Sequence, residues 1–245
     1  MLKVSLIMTT YNSRDNFVQS YESIQSQTYP EIEIIIIDGA STDGTVEEIE
    51  KRAKENSALK WLSERDSGIY NALNKGIRMA EGDIIAIFND QFLDETAIEE
   101  YVHAIEENQS DGVHSDLVYK DAAGRVVRKW KMGEGSIRKG WMPGHPTLYL
   151  RRSVYEQYGL YKEDYKCAAD YEFMVRILKD GRIKLAYIAK PLIAMYYGGT
   201  SSGGLKAYTV SFWEGIRALH ENQVRGALRI TVCRMIKVLK QFLYA

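Results

Sequence analysis

The chain has 245 residues, of which 45% are hydrophobic, and its formal net charge is -1. This length fits one large domain with enough apolar side chains for a core, and the near-neutral charge excludes a general polyanion-binding surface, so nucleic acid is not an expected partner. Two cysteines, Cys167 and Cys233, lie far apart without a CxxC motif, so neither a disulfide framework nor a zinc site is predicted.

No targeting segment or membrane span is predicted. The N-terminal run MLKVSLIMTTYNS lacks the long apolar core of a signal peptide, and no stretch approaches the roughly 18 apolar residues of a spanning helix. We therefore expect a soluble, cytoplasmic protein.

The first half of the chain alternates between strand and helix patterns. Strands are predicted over 4–10, 32–38, 59–64 and 83–88, and helices from Ser13 to about Gln25, over 45–55, from Ile69 to about Ala80 and from Thr96 onward. The continuous branched aliphatics of IEIIIID are typical of a strand covered on both faces. Strands and helices that take turns with short loops predict an open, mostly parallel sheet with helices on both faces.

Polar clusters follow all four predicted strands. In such a sheet the ligand crevice lies outside the carboxyl ends of the strands, so these clusters are expected on one rim: TTYN (9–12), DGASTDG (38–44), ERDSG (64–68) and NDQ (89–91). Asp38 could accept hydrogen bonds from a ribose or a base, or it could form an Asx turn with the residues that follow. Tyr11 could stack on a base or pack, and Asp66 could cap a helix while Arg65 contacts a phosphate.

The second half changes character after about residue 112. Strands over 112–119 and 124–132, joined by a DAAG turn, are predicted to extend the same sheet, and an irregular Gly-, Arg- and Trp-rich segment follows. AADYEFMVRILKDG then predicts an amphipathic helix that ends at Gly181. Asp170 lies in its first turn, where the helix dipole favours an acid and where a carboxylate could also serve as a general base.

The segment from Gln223 to Ala245 contains five basic residues and no acid, together with a broad apolar face. A basic amphipathic helix of this kind could lie on an anionic membrane surface. It could equally pack on the domain or on a second subunit.

Taken in order, these motifs resemble glycosyltransferase family 2 of the GT-A fold, from VSLIMTTYN to about GGTSS at 198–202. Each motif is short, and their order and spacing together carry the resemblance. The motifs are TTYN (9–12), IIDGASTDGT (36–45), ERDSGIYNALNKGIRMAEGD (64–83) and ADYEF (169–173). HPTLYLRRS (145–153) and GGTSS make the chain most similar to bacterial members that build cell-surface polysaccharides.

The resemblance implies an α/β, Rossmann-like GT-A fold with a mixed, mostly parallel sheet flanked by helices and a C-terminal helical extension. The glycosyltransferase domain would cover 1–204, with a nucleotide-sugar-binding half at 1–111 and an acceptor half at 112–204. The basic amphipathic extension would cover 205–245.

The implied activity is inverting transfer of a hexosyl or N-acetylhexosaminyl group from a nucleotide-diphosphate sugar, with a UDP-sugar favoured. The acceptor would be a hydroxyl of a glycan or lipid-linked molecule in bacterial surface polysaccharide synthesis. Residues 223–245 would contact the inner face of the cytoplasmic membrane peripherally, or would form a homodimer. The alternative is a non-catalytic protein that binds a nucleotide-sugar or a glycan.

The resemblance also assigns roles to single residues. Asp170 falls at the position of the catalytic base, and His145 falls at a common family position on the acceptor side, where a structural histidine is the alternative. The expected donor-binding residues are Thr9, Tyr11, Asn12, Asp38, Arg65, Asp66, Lys75 and Asn89.

The metal motif of the family is altered in this chain. Related enzymes end the fourth strand with Asp-x-Asp or Asn-x-Asp-Asp, which holds Mn²⁺ or Mg²⁺ on the donor diphosphate, whereas here Asn89, Asp90 and Gln91 occupy these places. A hard cation prefers anionic oxygen, and Gln91 offers a neutral carbonyl. Asp90 could hold the metal through a changed loop, which we favour because phosphate-bound Mg²⁺ often needs one or two carboxylates. Otherwise the chain has lost activity, or cations replace the metal: Arg65, Lys75, Arg138 or Lys139.

Overall fold

The computed structural model describes residues 1–196 and 204–240. The motif GGTSS at 198–202 lies outside these residues. The elements in chain order are β1 (Val4–Thr10), α1 (Arg14–Gln25), β2 (Ile32–Asp38), α2 (Thr45–Glu55), β3 (Leu59–Ser63), α3 (Ile69–Met79), β4 (Ile84–Ile87), β5 (Gln91–Phe92), α4 (Ala97–Glu107), β6 (Gly112–Lys120), β7 (Val126–Trp130), β8 (Tyr149–Arg151), α5 (Arg152–Tyr158), α6 (Ala169–Leu178), β9 (Leu185–Tyr196), α7 (Gly204–Glu221) and α8 (Ala227–Lys240). Two short 3₁₀ helices, Ile137–Lys139 and His145–Thr147, lie between β7 and β8.

One nine-stranded sheet organises the chain, in the order β3-β2-β1-β4-β8-β6-β9-β5 with β7 paired to β6. Strands β3, β2, β1 and β4 are all parallel, and their register sets Thr10 beside Asp38 and Asp38 beside Ser63. Strands β8 and β6 continue the sheet with antiparallel pairing, and β9 runs parallel to β6. The prediction that the second half extends the same sheet is therefore confirmed.

Both faces of the central strands are buried, as IEIIIID predicts. Side chains alternate between the faces because successive residues of a strand point in opposite directions. Ile34 and Ile36 pack under α1, α2 and α4, whereas Ile35 and Ile37 pack under α3 and α6. Helix α3 lies so close to the sheet that a Cβ on Gly76 would be 2.4 Å from Cγ2 of Ile7.

The C-terminal helices pack on the core that lies between the sheet and helices α3 and α6. Buried residues of α7 and α8 and of their connection contact the α3–α6 side of the sheet: Ala218, Leu219, Val224, Ala227 and Ile230. Helix α7 begins at Gly204, so the expected boundary of the extension coincides with the start of this helix. The division into 1–204 and 205–245 remains a proposal.

Several local features differ from the sequence predictions. Ser13 precedes α1 as expected, but its hydroxyl contacts Oγ1 of Thr10 at 2.8 Å instead of capping the helix. Helix α6 ends at Leu178, before Gly181. The segment that resists prediction contains the two 3₁₀ helices and β8, and strands β5 and β9 were not predicted. No helix in residues 1–196 or 204–240 is long and apolar enough to span a bilayer.

A buried carboxylate holds together the edge of the sheet opposite the strand ends that carry the polar clusters. Glu33 accepts hydrogen bonds from Oγ of Ser5 at 2.6 Å and from the backbone N–H of Glu81 at 2.9 Å. Lys60 lies 2.7 Å away and also pairs with Glu81. Burial acts to raise the pKa of Glu33, but the hydrogen bonds from Lys60 and Ser5 hold that pKa at about 2.

We expect Glu33→Gln to lower the free energy of unfolding by about 1–3 kcal/mol at neutral pH, because buried donors lose a charged acceptor. Urea unfolding followed by circular dichroism measures this change. The deficit should shrink as the pH falls toward 2, since the Glu33 pKa is depressed and its stabilisation is lost on protonation. Glu81→Gln is the matched control, because Glu81 pairs with the same lysine at an exposed site. Equal midpoints for the two variants would contradict this account.

Candidate active site

The loops after β1, β2 and β3 meet at the carboxyl edge of the sheet. A Cβ on Gly39 would lie 3.2 Å from Cδ2 of Tyr11 and 3.4 Å from Oδ2 of Asp66, so the three loops are in contact around this glycine. The Tyr11 ring is 67% exposed and is free to meet a planar ligand. The predicted rim is thus formed, with Tyr11 on its surface.

Asp38 lies beneath this rim and is 0% exposed. Its carboxylate accepts from the hydroxyl and the backbone N–H of Ser41, at 2.5 and 2.9 Å, and from the Ser63 hydroxyl at 2.7 Å. This is the Asx-turn alternative, and it leaves no oxygen of Asp38 exposed to a nucleoside. Asp38 thus holds the loops after β2 and β3 together, and its contact with a donor stays a prediction.

Asn12 connects the first two loops. Its backbone N–H donates to the Ser41 hydroxyl at 2.8 Å, and its side-chain carbonyl accepts from the N–H of Thr42 at 2.8 Å. Its φ of 45° is a left-handed conformation, which asparagine adopts more readily than most residues. Asn12 therefore shapes the rim through its backbone and its amide.

Asn89 joins the ends of β4 and β1. Its carbonyl accepts from the Thr9 N–H at 2.9 Å, and its amide donates to the Thr9 hydroxyl at 3.1 Å. Thr9 and Asn89, which are both predicted to bind the donor, lie at the rim and are hydrogen-bonded to each other.

Asp90 is a half-buried carboxyl whose pKa is raised by burial to about 7. Across residues 1–196 and 204–240, no group donates to it and no cation pairs with it. Gln91 instead belongs to β5, and its amide donates to the Gln19 carbonyl at 3.0 Å. No cluster of three His, Cys, Asp or Glu side chains suited to a metal occurs in the described part of the chain. Asp90 can thus supply one carboxylate to a cation whose other ligands come from a bound molecule.

The predicted phosphate-binding cations differ in availability. Lys75 pairs with Glu64 at 2.7 Å and with Asp66 at 2.5 Å, so it is not a free cation. Arg65 is exposed, and within the ranges the structure covers it has no ion pair. Of the two predicted cations on this side, Arg65 is the one open to a diphosphate.

Asp170 is connected to the rim through α3. Its Oδ1 accepts from the Tyr70 hydroxyl at 3.4 Å and from the Tyr171 N–H at 2.8 Å. Tyr70 lies in the first turn of α3, which begins directly after the third rim loop. Asp170 is half-buried, and Oδ2 has no hydrogen-bond partner among the residues described. A carboxylate oxygen is therefore available at the edge of the crevice.

His145 lies on the same side of the sheet as Asp170. Its Nε2 contacts the Tyr161 hydroxyl at 2.8 Å, and burial lowers the pKa of the ring although Asp170 acts to raise it. A neutral, hydrogen-bonded imidazole results. Such a histidine fits the structural alternative for His145, and its ring is close enough to Asp170 for that carboxylate to act on its pKa.

Two charged residues of the C-terminal helices reach this site and were not predicted. Glu214 of α7 accepts from the backbone N–H groups of Lys166, Cys167 and Ala168 at 2.7–3.0 Å, and so binds the N-cap residue of the helix that carries Asp170 together with the two residues before it. Arg234 of α8 lies over the Tyr171 ring, with Cζ 3.9 Å from the ring centroid. No local sequence pattern connects positions so far apart along the chain.

A parallel sheet with loops gathered at its carboxyl edge, continued by antiparallel strands, is the GT-A architecture of glycosyltransferases. The structure of Staphylococcus aureus TarS residues 1–349 with UDP-GlcNAc superposes with a TM-score of 0.74 at 21% identity, over 99% of this chain and 72% of that one. The mannosyltransferase PcManGT of Pyrobaculum calidifontis, in complex with GDP-Man and Mn²⁺, superposes with a TM-score of 0.65 at 19% identity, over 98% of this chain and 75% of that one. The sequence profile of Glycosyl transferase family 2 matches residues 5–162, and the chain belongs to that family.

The sequence relatives agree with this assignment. An uncharacterized glycosyltransferase of Haemophilus influenzae is 28% identical over 196 residues, which are 73% of this chain and 61% of that protein. The poly(ribitol-phosphate) beta-N-acetylglucosaminyltransferase TarS of S. aureus is 30% identical over 115 residues, or 45% of this chain and 20% of its own. The chain thus belongs to a glycosyltransferase family, and it matches less than two thirds of the length of either of these two relatives.

The raised pKa of Asp90 predicts an unusual pH dependence of stability. Between about pH 4 and about pH 7 the unfolded chain loses this proton while the folded chain keeps it, so the wild type loses stability relative to Asp90→Asn as pH rises. The advantage of the variant should grow by about 1–3 kcal/mol across this interval, measured by urea unfolding in EDTA. Asp94→Asn is the control. The Asp94 pKa is lowered by hydrogen bonds from Thr96, so Asp94→Asn should lose stability relative to the wild type as the pH rises. A flat difference for Asp90→Asn would show that its carboxyl titrates normally.

Proposed function

We propose that the chain catalyses inverting transfer of a hexosyl or N-acetylhexosaminyl group from a nucleotide-diphosphate sugar to a hydroxyl of a glycan or lipid-linked acceptor in bacterial surface polysaccharide synthesis. A UDP-sugar is the favoured donor, and the UDP-GlcNAc bound to TarS supports this choice. The observation that carries the proposal is the half-buried Asp170 carboxylate, which has one unoccupied oxygen beside a rim of four strand ends.

Asp170 acts as the general base. Its free Oδ2 accepts the proton of the acceptor hydroxyl as that oxygen attacks the anomeric carbon from the face opposite the diphosphate. The C1–oxygen bond to the diphosphate breaks in the same step, and the nucleoside diphosphate leaves with the bonding electrons. The Tyr70 hydroxyl on Oδ1 and the Glu214 cap on α6 hold the carboxylate in place during this step.

The donor is held by the rim. Tyr11 stacks on the nucleoside, and Arg65 meets the diphosphate as an unpaired cation. Thr9, Asn12, Asp38 and Asn89 set the shape of the loops through their mutual hydrogen bonds. Asp66 keeps Lys75 in place and offers its remaining acceptor capacity toward the donor.

A divalent cation, Mn²⁺ or Mg²⁺, fits the site when a diphosphate provides most of its ligands. Asp90 would hold it, since this carboxyl has no other partner in residues 1–196 and 204–240, and one carboxylate is enough for a phosphate-bound ion. When bound, the metal supplies positive charge against the leaving diphosphate. Gln91 is occupied in β5 and contributes no anionic oxygen.

Asp170→Asn should reduce transfer about 10²–10⁴-fold while leaving nucleotide binding nearly intact, because the amide cannot accept the acceptor proton. Product formation across a panel of UDP-, GDP- and dTDP-sugars, with a thermal-shift measurement of nucleotide binding, tests both halves. Asp180→Asn, at an exposed position two residues beyond the end of α6, should behave as the wild type. Wild-type transfer by Asp170→Asn would discard the assignment of the base.

Asp90→Ala should remove the stabilisation that Mn²⁺ adds to the complex with UDP, because the ion loses its protein carboxylate. Thermal shifts with UDP alone and with UDP and Mn²⁺ measure this difference. If the variant keeps both its activity and its metal dependence, Asp90 has only a structural role at the end of β4.

The altered motif also favours a second candidate function, in which the chain binds a nucleotide-sugar or a glycan without catalysis. Gln91 in place of an acid supports it, and the free oxygen of Asp170 argues against it. A protein that binds UDP-sugars and yields no product with any donor or acceptor would favour this alternative.

The outer face of α8 suggests where the reaction takes place. Exposed apolar side chains follow one side of this helix, flanked by the exposed cations Arg225, Arg229 and Lys237. The exposed apolar residues are Leu228, Val232, Met235 and Ile236. We propose that this face rests on anionic lipid at the inner surface of the cytoplasmic membrane, because its apolar stripe and positive flank match such a surface. A homodimer through the same face is the alternative.

The triple variant Leu228→Ser, Val232→Ser, Ile236→Ser should abolish co-flotation with phosphatidylcholine vesicles that contain phosphatidylglycerol. Vesicles of phosphatidylcholine alone should bind the wild type weakly, and Val126→Ser, an exposed apolar residue on β7, is the matched control. These substitutions test the exposed face alone, whereas truncation after Asn222 would also remove the buried Ile230. A wild type that fails to float ends the membrane proposal, and loss of dimers in the triple variant by light scattering would support a second copy instead.

A further inference from the structure

Arg234 is a cation held inside the acceptor side of the molecule. It projects from the inner side of α8, where Ile230 and Thr231 are buried, and its guanidinium covers the Tyr171 ring with Cζ 3.9 Å from the centroid. The side chain is half-buried, and burial lowers its pKa while Asp170 acts to raise it. Arg234 therefore lies within electrostatic range of the proposed base.

The fold makes room for this side chain. A Cβ on Gly215 of α7 would lie 2.9 Å from one guanidinium nitrogen, so the Arg234 side chain packs directly against the backbone of α7. Gly140 ends the first 3₁₀ helix with a φ of 68°, and a Cβ there would lie 2.7 Å from the backbone nitrogen of Arg234. Two close glycine contacts thus fix α8 and its arginine against the domain.

The guanidinium has no anionic partner in the part of the chain that the structure describes. Its one hydrogen bond goes to Sδ of Met142 at 3.9 Å, and a thioether is a weak acceptor. Three other cations around α6 and α7, by contrast, pair with carboxylates: Lys162, Arg176 and Arg217. The half-buried guanidinium of Arg234 thus keeps N–H donors that an anionic ligand can use.

Stacking on Tyr171 accounts for only part of this arrangement. A cation–π contact stabilises a desolvated arginine without using its N–H donors, which lie in the plane of the guanidinium. That plane is suited to a planar or tetrahedral oxyanion, since arginine can bind carboxylate and phosphate with two parallel hydrogen bonds.

The contacts of Arg234 place it on the acceptor side. They involve Met142, Tyr171 and Gly215, and none of them belongs to the four rim loops that would hold the donor. Asp170 accepts from Tyr70 at the edge of the rim and is close enough to this guanidinium to act on its pKa. An anion on Arg234 would therefore lie beside the acceptor hydroxyl, apart from the donor diphosphate.

We propose that Arg234 binds an anionic group, a phosphate or a carboxylate, on the acceptor, and so positions the hydroxyl that Asp170 deprotonates. This inference rests on the proposed function of the site. It makes the C-terminal helix α8 part of the acceptor site and restricts the acceptor to a class of charged glycans or glycosyl phosphates.

Binding of matched probe pairs tests this proposal without a known acceptor. With UDP and Mn²⁺ at saturation to fill the donor site, ligand-observed NMR would compare N-acetylglucosamine 1-phosphate with its methyl glycoside, and methyl glucuronide with methyl glucoside. The wild type should bind at least one charged probe roughly tenfold more tightly than its neutral partner, as expected for a charge-assisted hydrogen bond. The phosphate and carboxylate arms identify which anion the site prefers.

Arg234→Met, which keeps the apolar stem, should remove this preference, and Arg234→Lys should keep part of it. Arg78→Met, an exposed arginine at the end of α3, controls for the change in net charge. Far-UV circular dichroism confirms that each variant is folded. Equal affinity of the wild type for charged and neutral probes, or an unchanged preference in folded Arg234→Met, would overturn the proposal. A different result would contradict the proposed function itself: failure of UDP to bind, or absence of product with every donor.

Discussion

The parallel alignment of β3, β2, β1 and β4 is the constraint on which this site depends. Because the four strands run in the same direction, their carboxyl ends and the polar loops that follow them must meet at one edge. The register fixes this meeting at the level of single residues, since Thr10, Asp38 and Ser63 are neighbours across three strands. Asp38 uses this position to bond with Ser41 and Ser63, so the rim is held by a buried carboxylate rather than by packing alone.

The other half of the site is assembled from elements far apart in sequence. Helix α6 presents Asp170, α3 contributes the Tyr70 hydroxyl, and α7 supplies the Glu214 carboxylate that caps α6. Negative charge at a helix N-terminus is favoured by the helix dipole, so Glu214 stabilises the turn that leads into α6 and Asp170. The C-terminal helices are consequently part of the working structure, and their removal would leave Asp170 on an uncapped and uncovered helix.

Charge pairing distinguishes the residues that hold the structure together from those to which the proposals assign a ligand. Glu33, Lys75 and Asp66 are bound to oppositely charged partners, and Asp38 is fully hydrogen-bonded. In residues 1–196 and 204–240, Arg65, Asp90 and Arg234 have no such partner. Asp90 and Arg234 are also half-buried, and a ligand of opposite charge can offset the desolvation of such groups, whereas Arg65 is exposed. The three positions correspond to a diphosphate, a metal and an anionic acceptor group in the proposals made for this site.

Local patterns in the sequence determined the first half of the fold. The branched run of IEIIIID and the amphipathic helices specify their own structure through burial, and the direction of parallel strands then gathers the motifs TTYN, DGAS, ERDSG and NDQ at one edge. Asp170 and Asp90 were also recognisable as candidate site residues, because ADYEF follows the family pattern and Asp90 stands in the altered metal motif NDQ. Strand β9, the Glu214 cap, the pairing of Lys75 and the position of Arg234 were decided only by the tertiary structure. Each of these depends on contacts between residues distant along the chain, and neither periodicity nor residue type encodes which distant group will complete a hydrogen bond or neutralise a charge.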